Sequence, residues 1–106
     1  MDLENLKKEL HLTGVAIIRR DGTMEDSVLS EQLNKDTFSI MCATIYGAAI
    51  TANNELKYKN LKKIIIDTES GFLMLLPYKD RHFLISIMPQ NSNLDEIANK
   101  ISLKIQ

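Results

Sequence analysis

Apolar residues at Leu3, Leu6 and Leu10 keep the spacing of one helix face, and they predict a short amphipathic helix over about residues 2–11, closed by Thr13-Gly14 with Gly14 as the left-handed cap. The period then changes. Val15-Ala16-Ile17-Ile18-Arg19-Arg20 reads as a strand, Asp21-Gly22 as a hairpin turn, and Thr23 to Leu29 as the returning strand, with Met24, Val28 and Leu29 turned inward. Residues 30–35 lead into a long helix from Asp36 to Asn54, for which Asn34 or Asp36 can serve as cap. A polar, locally basic stretch follows from Glu55 to Lys63. Three apolar runs come next: Lys63 to Thr68, Gly71 to Pro77, and Phe83 to Met88 stopped at Pro89, joined by turns at Glu69-Ser70-Gly71 and Tyr78 to Arg81. Asn93-Leu94-Asp95-Glu96 has the form of a capping box, and it opens a last helix carrying Leu94, Ile97, Ala98, Ile101 and Leu103.

The element order is therefore αββαβββα. A hairpin and a three-stranded meander make the sheet antiparallel. The runs at Ile64 to Ile66, Phe72 to Leu76 and Phe83 to Ile85 are apolar on both alternating faces, so both faces of the sheet need cover. The expected α+β architecture is a three-layer sandwich. A five-stranded antiparallel sheet carries the long helix on one face and the two terminal helices on the other. No repeat or low-complexity linker interrupts residues 1–106, which read as one domain.

The long helix carries no charge from Thr37 to Asn54, in a chain that is 25% charged. On a helical wheel, Phe38, Met41, Cys42, Ile45, Ala49 and Ala52 form one face, read here as the core-facing one. Ile40, Ala43, Thr44, Gly47, Ile50 and Thr51 form the opposite face, where a solitary surface helix would place charges. Five strands at about 4.8 Å spacing make a sheet roughly 24 Å wide. One helix covers about 10–12 Å of that. A second copy supplies the missing cover, which predicts a homodimer with the long helices side by side. Its interface is expected at Ile40, Ala43, Thr44, Gly47 and Thr51. The strand holding Ile64 and Ile66 is expected to contribute by pairing edge to edge with its copy.

Composition adds mainly exclusions. A formal net charge of −1 gives no global reason for binding nucleic acid. The single cysteine, Cys42, allows no intrachain disulfide and reads as an inert core thiol. The start MDLENLKKEL is not a secretory leader, and the apolar stretch from Phe38 to Ala52 is shorter than the roughly 20 residues of a membrane span. A cytoplasmic location is the default expectation. His11 and His82 lie in separate elements, no Cys/His cluster has metal spacing, and Gly14, Gly22, Gly47 and Gly71 form no phosphate loop. The chain is therefore expected to be no enzyme and to need no cofactor or metal. Arg19, Arg20 and Arg81 are read as solvated turn charges rather than as an arginine supplied to another protein's active site. Lys57, Lys59, Lys62 and Lys63 with Tyr58 read as a solvated loop, with an acidic partner surface or anionic lipid as the functional alternative.

Several stretches together carry a resemblance: TGVAIIRRDG near the start, the small-residue helix in the middle, IIID…GFLMLLP…HFLISIM, and the Asn93-Leu94 helix start. On these the chain resembles the Roadblock/dynein light chain family over nearly its whole length. Asp95 stands where that family often has glycine. The resemblance implies a profilin-like or longin-like sandwich that dimerises through the central helix and the strand after it. It also implies a noncatalytic regulator or scaffold that binds a small Ras-like GTPase. On this reading the paired helices form a platform, and Ile40, Ile50 and Thr51 remain for the GTPase. Two other readings stay open. A profilin-like small-ligand sensor would need a cavity between helix and sheet, against which the bulk of Phe72, Met74 and Phe83 argues. A purely structural subunit of a larger complex is the other.

Overall fold

A computed structural model describes residues 1–105. Its elements are α1 (Leu3–Leu10), β1 (Gly14–Arg19), β2 (Met24–Val28), α2 (Lys35–Glu55), β3 (Ile64–Thr68), β4 (Gly71–Tyr78), β5 (His82–Pro89) and α3 (Leu94–Ile105). The order αββαβββα predicted by the apolar pattern is the observed one.

The five strands form one sheet in the order β2-β1-β5-β4-β3, with every neighbouring pair antiparallel. β5 and β1 lie inside the sheet and are buried along nearly their whole length. β2 and β3 are the two edges. Between them the chain crosses the full width of one face as α2, whose 21 residues reach about 31 Å at 1.5 Å per residue. β2 exposes Glu25 and Asp26 at its edge. Glu25 lies 3.5 Å from Arg19 and 2.7 Å from His82 Nε2, although the latter approach lacks the angle of a hydrogen bond.

Two apolar layers result, one on each face. On the first, Leu3, Leu6 and Leu10 of α1 and Ile97, Ala98 and Ile101 of α3 pack on Val15, Ile17, Met74, Leu76, Leu84 and Met88. On the second, Cys42 and Tyr46 of α2 pack on Ala16, Ile18, Leu75, Phe83 and Ile85. The three-layer sandwich, with the terminal helices sharing one face, is thus as predicted.

The end of α1 differs from expectation. The left-handed residue is His11, with φ 55°, and Gly14 instead opens β1. The helix runs to Leu10, and the Leu12 N–H returns to the Lys7 carbonyl at 2.9 Å, so the reversal falls at His11 and lets Leu12 bury. Elsewhere the capping residues are those expected. Asn34 accepts from the Thr37 N–H at 3.1 Å, and Asn93 accepts from the Glu96 N–H at 3.1 Å.

A polar contact ties α2 to the β1–β2 hairpin. Ser39, in the first turns of α2, is 1% exposed, and its hydroxyl donates to the Gly22 carbonyl in the β1–β2 turn. Gly22 has φ 97°, and a Cβ there would meet Ile40 of α2 at 3.4 Å. Helix and hairpin therefore approach closely where only glycine suits the backbone. Ser39→Ala should cost about 1–2 kcal/mol in urea unfolding, because it leaves a shielded carbonyl without its donor. Gly22→Ala would compound that with a strained φ.

Candidate interaction surface

The surface that needs explaining is the outer side of α2. Asn34 caps the helix start, and the Thr44 hydroxyl folds back onto the Ile40 carbonyl at 2.9 Å, so its polar group is spent within the helix. The exposed outer positions are Ile40, Met41, Thr44, Ile45, Ala48, Thr51 and Ala52. Ile40 is 52% exposed, Met41 51% and Ile45 36%. These are large apolar groups in water with no lysine or glutamate among them, whereas surface helices ordinarily interleave charges.

This surface is the uncharged one the sequence predicts, but it is rotated. The core-facing side is centred on Ser39, Cys42, Ala43, Tyr46 and Ile50, about 100° from the face read off the wheel, which is one residue's turn. Phe38 and Cys42 lie inward as expected. Met41 and Ile45 do not: both face solvent. Ala43 and Ile50, expected outward, are half-buried against the α2-side core. Ile50 therefore belongs to the core rather than to the exposed stripe. Two residues that look unsuited to a core set the phase. Ser39 has its acceptor in Gly22, and Tyr46 stacks on Phe83 with ring centroids 4.6 Å apart and planes 10° apart. Burial pushes the Tyr46 hydroxyl above its ordinary pKa, and Arg20, whose guanidinium lies 5.6 Å from the ring centroid, partly opposes the shift.

Of the other predicted positions, Ile40, Thr44 and Thr51 are exposed. Gly47 is half-buried, with no atom within 4 Å of where a Cβ would stand. Ile64 and Ile66 are half-buried on the α2 side of β3, which among the described residues pairs only with β4. The β3 backbone thus presents a free edge beside the incompletely covered Ile64 and Ile66. No sequence signal pointed to Met41 and Ile45 as outward.

Residues of chemical interest are occupied structurally. Cys42 is 2% exposed, and burial lifts its thiol to about 11, so it is a poor nucleophile. His82 Nδ1 lies 2.7 Å from the Asp80 carbonyl. The Arg20 N–H donates to the Arg81 carbonyl at 2.9 Å, tying together the β1–β2 and β4–β5 turns. Asp21 accepts from the Thr23 N–H at 2.9 Å, and that backbone hydrogen bond lowers its pKa. The Tyr46–Phe83 stack lies between α2 and the sheet, and beside it an open cavity is lined by Tyr46, Ile50, Asn53, Tyr58, Leu61 and Pro77. Among the described residues no helix is long and apolar enough to cross a membrane, and no group of three potential ligands could hold a metal.

Comparison with known proteins gives a consistent picture. The family profile described as the Roadblock/LC7 domain matches residues 1–87. No curated protein matches the chain. Among solved structures, Myxococcus xanthus MglB superposes with a TM-score of 0.86 at 13% identity, over 92% of this chain and 80% of that one. An MglB described as having a tetrameric arrangement gives 0.81 at 15% identity, over 93% and 77%. Acanthamoeba castellanii profilin IA gives 0.64 at 12% identity, over 97% and 92%. At these identities the superpositions show the fold, which is of the Roadblock and profilin type.

Proposed function

The chain belongs to the Roadblock/LC7 family, a regulatory family of small-GTPase partners, and on that premise we propose that two copies pair through α2 and β3 to form a noncatalytic platform for a small Ras-like GTPase. The observation that carries this reading is the charge-free outer side of α2, with Ile40, Met41 and Ile45 in water in the single chain. A neighbouring α2 would cover Thr44, Ile45 and Ala48, and a second β3 would satisfy the open edge beside Ile64 and Ile66. A standard interface of roughly 800 Å² per partner is within reach of such a pairing. The tetrameric arrangement described for an MglB of the same fold agrees with self-association. Ile40 and Met41, near the start of α2, are the apolar groups left for the GTPase, together with Thr51. Ile50 drops out of that set because it packs inward.

Sedimentation equilibrium at tens of micromolar should give a dimer, and a GTPase should coelute with it from the native source. A monomer at that concentration would defeat the pairing. Gly47 refines the test. In a lone chain, Gly47→Ala meets open space and should stabilise the helix by about 1 kcal/mol. If a second backbone passes close by, the added methyl should instead weaken self-association severalfold. Thermal unfolding and sedimentation together distinguish the two effects.

A further inference from the structure

We propose that the loop joining α2 to β3 is a contact site for an anionic membrane surface, with Leu56 and Tyr58 as its apolar part and Lys57, Lys59 and Lys62 as its cationic part. After Glu55 the sequence has no acidic residue until Asp67, and it places four lysines between them. Lys63 reaches Asp95 at 3.6 Å; among the described residues no carboxylate pairs with the other three. The apolar pair is unusually bare. Leu56 is 61% exposed and Tyr58 67%.

The segment is nonetheless held in a fixed shape. The Lys57 N–H donates to the Asn54 carbonyl at 2.9 Å and the Tyr58 N–H to the Asn53 carbonyl at 3.2 Å, with Lys57 left-handed at φ 59°. This is a Schellman ending of α2. The Asn53 side-chain amide then donates to the Lys59 carbonyl at 2.6 Å. In such an ending, the residue at the Tyr58 position ordinarily packs back on the last helical turn. Here that turn offers Asn53 and Ala52, and Tyr58 stays in water.

A lipid surface suits this combination better than an acidic protein does. The cations are all lysines, point charges that answer a diffuse negative potential. Docking to defined carboxylates favours the planar fork of arginine. A tyrosine beside them is the side chain that settles at the headgroup level. With no helix able to cross a bilayer among the described residues, the contact is peripheral.

The test uses the whole chain with sedimenting phosphatidylcholine vesicles, with and without about 30% phosphatidylserine. Binding is expected only with the anionic lipid. The triple variant Lys57→Gln, Lys59→Gln, Lys62→Gln should lose about a hundredfold in partitioning, at about fivefold per lysine. Tyr58→Trp, in a chain with no tryptophan, should show a blue-shifted emission on the anionic vesicles alone. Equal binding to both vesicle types, no binding to either, an unchanged triple variant, or an unshifted emission would each overturn the proposal. So would capture of an acidic protein through these lysines by a chain that ignores the vesicles. Because the three lysines are exposed but the loop runs into β3, sedimentation equilibrium of the triple variant is measured alongside: vesicle binding lost with self-association unchanged is the expected result, and vesicle binding lost only together with self-association would overturn the proposal.

Discussion

Ile45→Glu should raise the dissociation constant of self-association at least a hundredfold while leaving the fold of the single chain intact. Ile45 belongs to neither core layer and lies 36% exposed on the outer side of α2. In the lone chain the new carboxylate would simply be solvated. At the centre of a helix-to-helix interface it would be buried without a partner, at a cost of about 3–5 kcal/mol, which exceeds the roughly 2.7 kcal/mol of a hundredfold change. Sedimentation equilibrium reads the first effect and thermal unfolding the second. Ile50→Glu is the control: it should unfold the protein, because Ile50 packs against the α2-side core. If Ile45→Glu stays fully dimeric, the outer side of α2 is not the interface. GTPase coelution must be scored against oligomeric state, since loss of the platform would abolish both together.

Phe83→Ala should destabilise the chain by about 3–5 kcal/mol, a large part of the 5–15 kcal/mol that holds an ordinary domain together. Phe83 is completely buried and stacks on Tyr46, the residue through which α2 rests on the sheet. Truncation removes the stack and opens a void that β5, paired on both sides, cannot collapse to fill. Urea unfolding measures the loss, and the near-ultraviolet circular dichroism of the tyrosines should weaken with it. Phe83→Leu keeps most of the volume and should cost less than half as much. An alanine variant within 1 kcal/mol of the parent, against an expected loss of about 3 kcal/mol or more, would mean that α2 is held from elsewhere.

How much of this was legible in the sequence depends on which signal was read. Alternation and turn chemistry placed every strand to within a residue or two. Asp21-Gly22, Pro89 and Asn93 mark the boundaries that turn and cap chemistry predicts for them. The layer order followed from strands that are apolar on both faces. The rotation of α2 did not follow. With eighteen uncharged residues in a row the wheel has little contrast, and large aliphatic side chains then pull the assignment toward Met41 and Ile45. The true phase is set by contacts distant in sequence: a serine that meets a carbonyl 17 residues away and a tyrosine that meets Phe83. The left-handed turn at His11 is hidden in the sequence for a similar reason. Glycine is the common left-handed cap, and nothing local in the sequence displaces it toward the histidine.

The two margins of the sheet are unlike. β2 carries Glu25 and Asp26, and charge on a border strand discourages annealing to a neighbour. β3 begins Ile64-Ile65-Ile66 and has no such guard until Asp67. Each molecule thus has one border guarded by charge and one without that guard. In the proposed pairing, joining two such unguarded borders would use both up, so growth by this route would end at a pair and not run on into a fibre.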